Sequence, residues 1–324
     1  MAAYANGNIF VYLGGEQEVP FDITHAIIDP SVNIVRRWAF EDRGRLISVI
    51  FHDGVEIIEE GAFNECVSLR GIKLLGVREI KDEAFRRCYA LSDVKFGDKL
   101  ERIRSGAFNS CISLRSIKLS SLRTVSQLAF SHCEHLTDVE FGVNMERISS
   151  NSFYKCPRLR RIAIPLKEDL FPLDAFDRQY NQFDRCDNLT EVDIVRAEEI
   201  HRTISSFLFE SWKDEMNDVI GHINQELPKC AYGVEKTNAV RQWISSVITR
   251  LKHYKAEHRR LLKEHMTILE LAVWKAKLCE KEDYSTLKGG AKRAKIDEES
   301  SRKDKRITSG ADIIIKNVLP FLLG

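Results

Sequence analysis

One phrase recurs through the first part of this chain: a phenylalanine, a cysteine three residues on, a leucine three after that, then two apolar residues one position apart. It reads Phe63-Cys66-Leu69-Ile72-Leu74, Phe85-Cys88-Leu91-Val94-Phe96 and Phe108-Cys111-Leu114-Ile117-Leu119. It continues as Phe130-Cys133-Leu136-Val139-Phe141, Phe153-Cys156-Leu159-Ile162-Ile164 and, after a delay, Phe183-Cys186-Leu189-Val192-Ile194. A period of 22 or 23 residues is too short for a domain. It marks one turn of a solenoid, whose units bury their apolar faces only against their neighbours.

The pattern reaches upstream of the first cysteine. Ala39-Phe40 followed by Leu46, Val49 and Phe51 fits it, with Arg43 in the cysteine position, and Ile23, Ala26 and Ile28 match its final part. This gives about eight rungs, beginning near residues 23, 46, 69, 91, 114, 136, 159 and 189. A second period lies inside the first: Phe40, Phe85 and Phe130 are 45 residues apart, as are Phe63, Phe108 and Phe153. One class carries Ser-Leu-Arg after the cysteine (Ser68 to Arg70, Ser113 to Arg115), and the other carries Asp-Val-x-Phe-Gly (Asp93 to Gly97, Asp138 to Gly142). The unit of duplication is a pair of rungs. Extra residues around 170 to 180 delay the last one.

Within a rung, the Ile72-x-Leu74 alternation has the period of a half-buried strand. Equivalent strands one turn apart stack in parallel at about 4.8 Å. The Ala-Phe-x-x-Cys-x-x-Leu stretch, with its three-residue spacing, suits a helical turn on the opposite side. Ile57-Ile58, Val77 with Ile80, Ile103 and Ile148 predict a second, brief strand, and Gly61, Gly97, Gly106 and Gly142 fall where the chain must bend. Six of the eight cysteines (Cys66, Cys88, Cys111, Cys133, Cys156 and Cys186) occupy one column, which reads as a structural ladder of buried free thiols. The first 15 residues lack a basic stretch followed by a long apolar one, and no apolar run approaches a membrane helix. Both point to an intracellular protein, cytoplasmic or nuclear, without a signal peptide or membrane span.

These residues resemble the BspA-like, or Treponema-type, leucine-rich repeat, whose motif runs roughly Ile-x-x-x-Ala-Phe-x-x-Cys-x-x-Leu-x-x-Ile-x-Leu-Pro. The resemblance covers about residues 20 to 195, and the motif recurs in register. The chain departs from it in the proline after the strand, a place that only Pro165 keeps. Members of the family are surface adhesins and large, mostly uncharacterised sets in protists such as diatoms. The resemblance implies a protein-binding scaffold and no enzymatic activity.

A helical region follows the solenoid. Ala197 to Leu227 carries Ile200, Ile204, Phe207, Leu208, Met216, Val219, Ile220 and Ile223 at helical spacing, its first part placed to cover the open end of the last rung. Thr237 to Leu278 reads as one long helix with Val240, Val247, Tyr254, Leu261 and Ile268 every seventh residue. A parallel series holds Ile244, Leu251, His258, His265 and Ala272, a seam fit for a coiled coil or helical hairpin and weakened by its histidines. Lys288 to Arg306 is charged and poor in large apolar groups, as a disordered linker is, and a short helix follows it. That tail resembles tails on diatom proteins of this repeat class. The expected fold is α/β: a leucine-rich-repeat solenoid of stacked parallel strands followed by an α-helical C-terminal domain. Its parts are an N-terminal strand or cap (1–22), the solenoid (23–195), the helical hairpin or coiled-coil-like domain (196–287), the linker (288–307) and the C-terminal helix (308–324).

Candidate chemistry is sparse. The 49 basic and 48 acidic residues leave a net charge of +1, which draws the whole molecule toward neither nucleic acid nor an anionic membrane. His132-Cys133-Glu134-His135 lacks the paired spacing of zinc sites, and its cysteine is explained by the ladder. His253, His258 and His265 lie on a helix without a His-Glu-x-x-His pattern. No phosphate-binding glycine loop or nucleophile elbow occurs, so the chain is expected to be no enzyme and to need no cofactor or metal.

The outward strand positions are the better candidates. Lys73, Lys95 and Lys118 stand in register, followed by Glu140, Ala163 and Asp193, and Arg70, Arg115 and Arg160 alternate with Ser92, Thr137 and Thr190 in a nearby column. Those arginines are placed to pair with acids of the neighbouring column, Asp93 and Asp138. The three lysines and three arginines are the candidate surface for an unknown protein partner. Self-association through helices 237–278 is the structural alternative. A third reading is a nuclear factor, because Lys292, Arg293 and Lys295 with Lys303, Lys305 and Arg306 resemble a bipartite import signal.

Overall fold

The structure is a computed structural model that describes residues 8–172 and 181–286. The insertion at 173–180, the 288–307 linker with its basic clusters and the 308–324 helix lie outside the described residues. The chain falls into two compact units, Met1–Leu251 and Lys252–Gly324. The first holds the solenoid together with the helical residues that follow it up to Leu251.

Among the described residues there are fifteen strands, and from the second to the fourteenth long and short ones alternate. The first eight are β1 (Ile9–Tyr12), β2 (His25–Ile28), β3 (Ile34–Val35), β4 (Ser48–Ile50), β5 (Ile57–Ile58), β6 (Gly71–Leu74), β7 (Glu79–Ile80) and β8 (Asp93–Phe96). The rest are β9 (Arg102–Ile103), β10 (Ser116–Leu119), β11 (Thr124–Val125), β12 (Asp138–Phe141), β13 (Arg147–Ile148), β14 (Arg161–Ile164) and β15 (Glu191–Ile194). The long strands form one parallel face in the orders β1-β2-β4-β6-β8 and β10-β12-β14-β15, with the ladder interrupted between β8 and β10. The short strands form a continuous six-stranded parallel sheet, β13-β11-β9-β7-β5-β3. The phenylalanine–cysteine phrase thus spans six turns, and β1 adds a strand upstream of the first expected rung.

The predicted helical turn is absent, for a reason that the hydrogen bonds make plain. An α-helix returns its N–H groups to its own turn, whereas a solenoid needs some of them for the next. Here alternate residues donate along the axis: Trp38, Phe40 and Asp42 to the carbonyls of Glu60, Ala62 and Asn64, and Gly61, Phe63 and Glu65 to those of Asp82, Ala84 and Arg86. Left-handed residues aim these groups. Trp38, Gly61, Glu83, Gly106, Leu128 and Asn151, two before each phenylalanine from Phe40 to Phe153, have φ between 53° and 61°. The residue before each cysteine, from Glu65 to Arg185, does the same. The three-residue spacing belongs to tight local turns instead, with Cys66 N–H bonded to Phe63 O and Leu69 N–H to Cys66 O.

Of the expected bend glycines, Gly61 and Gly106 do adopt positive φ. Gly97 and Gly142 serve close approach: a Cβ there would sit 1.9 Å from Leu75 O and 1.7 Å from Ser120 O.

The core is a column of rings. Phe40, Phe63, Phe85, Phe108, Phe130, Phe153 and Phe183 are fully buried and stack with centroids 4.8 to 6.0 Å apart. The 45-residue period has a packing meaning. Phe51, Phe96 and Phe141, one per pair of turns, meet Phe63, Phe108 and Phe153 edge-on at 5.8, 5.7 and 6.3 Å. Each such contact adds about 0.5–1.5 kcal/mol beyond burial.

Both ends are closed by side chains that imitate the missing neighbour. At the N-terminal end the Tyr12 ring tops the stack, 5.2 Å from Phe40. The Gln17 amide occupies the free edge of β1, accepting from Leu13 N–H at 2.7 Å and donating to Val11 O at 3.3 Å. Arg43, in the cysteine column, reaches back to Val19 O.

Among the described residues three α-helices follow: α1 (Ala197–Ser205), α2 (Glu210–Glu226) and α3 (Gly233–Thr286). The cap comes chiefly from α3 and the end of α2, later in the chain than the sequence suggests. Gly233 lies so close that a Cβ would be 2.1 Å from Phe183 O. Thr237 Oγ1 accepts the Phe183 N–H and Asn224 Oδ1 the Val192 N–H. The buried Lys236 ammonium donates to Asp187 O at 2.6 Å and Leu189 O at 2.8 Å. Val67, which follows Cys66 as Asp187 follows Cys186, gives its carbonyl to Ala90 of the next turn. Lys236 therefore stands in for a turn that does not exist.

Removing it leaves two buried carbonyls unmet, at about 1–3 kcal/mol for each unmet group. Lys236→Met, which keeps most of the volume, is expected to lower the urea midpoint of the full chain clearly. A midpoint equal to wild type would refute the capping role.

Candidate functional site

The outward side of the long strands presents one column of positions, in register on each side of the interruption between β8 and β10. Pairing places Val11 opposite Ile27 and Ile27 opposite Ile50, while the pair Ser48–Gly71 sets Ile50 beside Lys73. Lys73 faces Lys95 directly, and Lys118 follows on β10 opposite Glu140, then Ala163 and Asp193. Along the axis the column therefore runs apolar, basic, then acidic. The alternation of each strand fixes this: Ile72 and Leu74 point inward and are buried, leaving Lys73 exposed between them.

The charges differ in how they are satisfied. Lys118 bonds Glu140 at 2.7 Å, and Arg161 holds Asp193 and lies 3.9 Å from Glu191. Lys73 and Lys95 have no ion partner among the described residues, although they are direct cross-strand neighbours of the same sign. Arg70, Arg115 and Arg160, all exposed, are likewise unpaired among the described residues. The expected pairing of these arginines with Asp93 and Asp138 does not form.

Besides Lys118–Glu140 and Arg161–Asp193 on this face, charge pairing between turns lies beside the short-strand sheet. There Lys81 meets Glu59 at 3.1 Å, Arg87 meets Glu65, and Glu79 receives both Arg102 at 3.3 Å and Arg104 at 2.6 Å. Burial raises the Glu79 carboxyl, but the two guanidiniums outweigh it and hold the group below its usual range. These residues stand about one period apart, and that was the signal available in the sequence. Exposed pairs of this kind contribute at most about 1 kcal/mol each.

The cysteine column is a structural ladder. Each thiol donates to the carbonyl of the preceding turn's phenylalanine: Cys66 to Phe40 at 3.0 Å, Cys88 to Phe63 and Cys111 to Phe85 at 3.2 Å. Cys133 to Phe108, Cys156 to Phe130 and Cys186 to Phe153 repeat it at 3.4, 3.1 and 3.0 Å. All six are free and buried. Burial pushes the Cys66 thiol up to about 12 and raises the other five. Such thiols are neither nucleophiles nor metal ligands at neutral pH.

Other candidates are equally structural. His135 Nδ1 lies 2.7 Å from Ile112 O, His132 packs edge-on against Tyr154, and burial lowers the His132 pKa. No cluster of three or more metal-ligating side chains exists among the described residues. A cleft between α2 and α3 is lined by Val219, Ile223 and Trp243 with Cys230 at its margin. Burial raises that thiol too. On α3, His258 is buried and His265 exposed. The import-like residues Lys292, Arg293, Lys295, Lys303, Lys305 and Arg306 lie outside the described residues.

Six copies of a family model described as the BspA type leucine-rich repeat region match residues 21–125 and 72–182. Among solved structures the chain is similar to a leucine-rich repeat protein of Treponema pallidum, at 26% identity and a TM-score of 0.39, covering 52% of this chain and 69% of that one. It is also similar to a leucine-rich cell surface protein of Faecalibacterium prausnitzii, at 21% identity and a TM-score of 0.36, covering 56% and 62%. A leucine-rich repeat protein of Eubacterium ventriosum matches at 22% identity and a TM-score of 0.41, covering 44% and 40%. The chain spans less than two thirds of the latter two. No curated protein matches.

The ladder makes stability depend on alkaline pH. A folded-state pKa raised above the ordinary thiol value of about 8.5 contributes stability that is complete below that value and lost as pH rises toward the folded one. Each thiol contributes up to about 1.4 kcal/mol per pH unit across that window. The urea midpoint is expected to fall between about pH 9 and 11, and less steeply in Cys111→Ala. Equal slopes in the two proteins would show that the ladder thiols do not carry the effect.

Proposed function

The chain belongs to the BspA-type leucine-rich-repeat family, and on that premise we propose that it is a non-enzymatic scaffold whose long-strand face docks a protein partner. The observation that carries this is the pair Lys73 and Lys95. Like charges directly opposite one another on a sheet cost stability. This solenoid matches cross-turn charges with opposites beside its other sheet and, at Lys118–Glu140 and Arg161–Asp193, on this one, so folding supplies no reason for two directly opposed lysines left out of any ion pair. Lys118, Arg70, Arg115 and Arg160 extend the same basic surface. The absence of enzymatic activity is part of the proposal, supported by the structural roles of the buried thiols and histidines.

We further read the protein as intracellular, where the thiol column would stay reduced. No helix among the described residues is long and apolar enough to cross a membrane.

Proximity labelling with the full chain and its Lys73→Glu, Lys95→Glu variant tests the docking face. The variant is expected to keep its urea midpoint and lose the principal labelled partners. An unchanged partner set would place binding elsewhere.

A second reading attaches to α3, where Ile268, Leu269, Leu271, Val273 and Trp274 are all exposed within two turns. A helix apolar on nearly every side is normally covered, which favours a second copy of this chain as its partner. Light scattering on the full chain is then expected to give a dimer mass that Leu271→Asp returns to monomer. A monomer throughout would remove self-association.

A further inference from the structure

The exposed column does not end at the lysines. Toward the N-terminal end it continues as Ile50, Ile27 and Val11, and Ile50 and Val11 are 51% and 45% exposed. Ile47 stands in the arginine column one turn before Arg70 and is only half-buried. On β1, Ile9 and Leu13 are also exposed. A solvated sheet face normally alternates apolar inside with polar outside. These turns break the rule on the outside, next to the turns that break charge pairing.

Two departures side by side on one column define one surface. Lys73 and Lys95 are held in no ion pair among the described residues, so an acidic group brought to them gains attraction without displacing one. Beyond Lys118 the face closes to such a ligand, because Lys118 is held by Glu140 and Arg161 by Asp193. The free part therefore runs from Val11 to Lys95. At about 4.8 Å per turn these four steps span about 19 Å, or about six residues of extended chain.

We propose that this face takes a polypeptide segment of the partner written in two adjacent blocks, acidic residues over Lys73 and Lys95 and apolar residues over Ile50, Ile27 and Val11. The proposal rests on the long-strand face being the docking surface and adds the chemistry and direction of what docks. Flanking Arg70 and Arg115 widen the basic half. Asp93, two positions before Lys95 on the same side of β8, repels acids that stray toward the neighbouring column. The acidic block supplies orientation and salt sensitivity, and the apolar block supplies water-excluding contact, a division typical of interface rim and core.

A random 16-residue peptide library displayed on phage, selected on the immobilised full chain, tests the proposal directly. Parallel selections use Lys73→Glu/Lys95→Glu and Val11→Ser/Ile50→Ser, each checked for a wild-type urea midpoint. The expected wild-type consensus joins an acidic cluster to apolar residues within about six positions. Enrichment should fall at least tenfold on the lysine variant, and the serine variant should select acids without the apolar block. Acidic peptides selected equally by wild type and serine variant would overturn the two-block segment and leave the docking face standing. Enrichment indifferent to the lysine variant would overturn both. A library that enriches no consensus on the folded wild-type chain would overturn the two-block segment as well.

Discussion

Donation of backbone N–H groups from each turn to the carbonyls of the next is the constraint on which the rest of this molecule depends. Once alternate groups around Phe40, Phe63 and Phe85 must point along the axis, the connecting stretch cannot be helical. Left-handed residues are needed at two places per turn, and only some of these are glycine. Leu128 and Trp38 adopt that conformation at a steric cost that the neighbouring turns must offset. The ring column and the thiols follow from the same register. Rings one turn apart have no room to do other than stack, and each cysteine can find the phenylalanine carbonyl behind it.

A structure built this way has two ends with nothing to donate to or accept from. Its stability is a sum over neighbours, so an open end leaves one full set of hydrogen bonds and one ring face exposed. The chain meets this with dissimilar devices. Tyr12, Gln17 and Arg43 close one end, and Lys236, Thr237 and Asn224 close the other. Lys236 is instructive because burial lowers its pKa, yet its ammonium is held by backbone carbonyls alone. A cation buried for this purpose is a structural group, although in isolation it would pass for a functional one.

The functional face is distinguished by contrast with the rest of the solenoid. Elsewhere cross-turn charges are matched, as at Glu79 with Arg102 and Arg104. On the long-strand face the matching stops at Lys118; Lys95 and Lys73 are left out of it, and past Lys73 the exposed positions turn apolar. Neither departure stabilises the fold. That is the physical basis for assigning the surface to a partner rather than to the scaffold.

Stacked parallel strands, the buried cysteine column and the inner face of each turn were all legible in the sequence, because period and alternation dictate which atoms can be buried. The register of Lys73 with Lys95 was also readable, since equivalent positions one period apart must align. The sequence did not disclose the left-handed turns, for Glu83, Leu128 and Asn151 carry no common side-chain signal where Gly61 and Gly106 do. Nor did it disclose that Arg70 and Arg115 would stay unpaired, or that α3 rather than the first helices would supply Lys236 to the last turn. Those outcomes depend on the direction of side chains and on how closely a helix can approach Phe183. A repeating sequence determines which residues become neighbours, and only the folded chain decides which neighbours can reach one another.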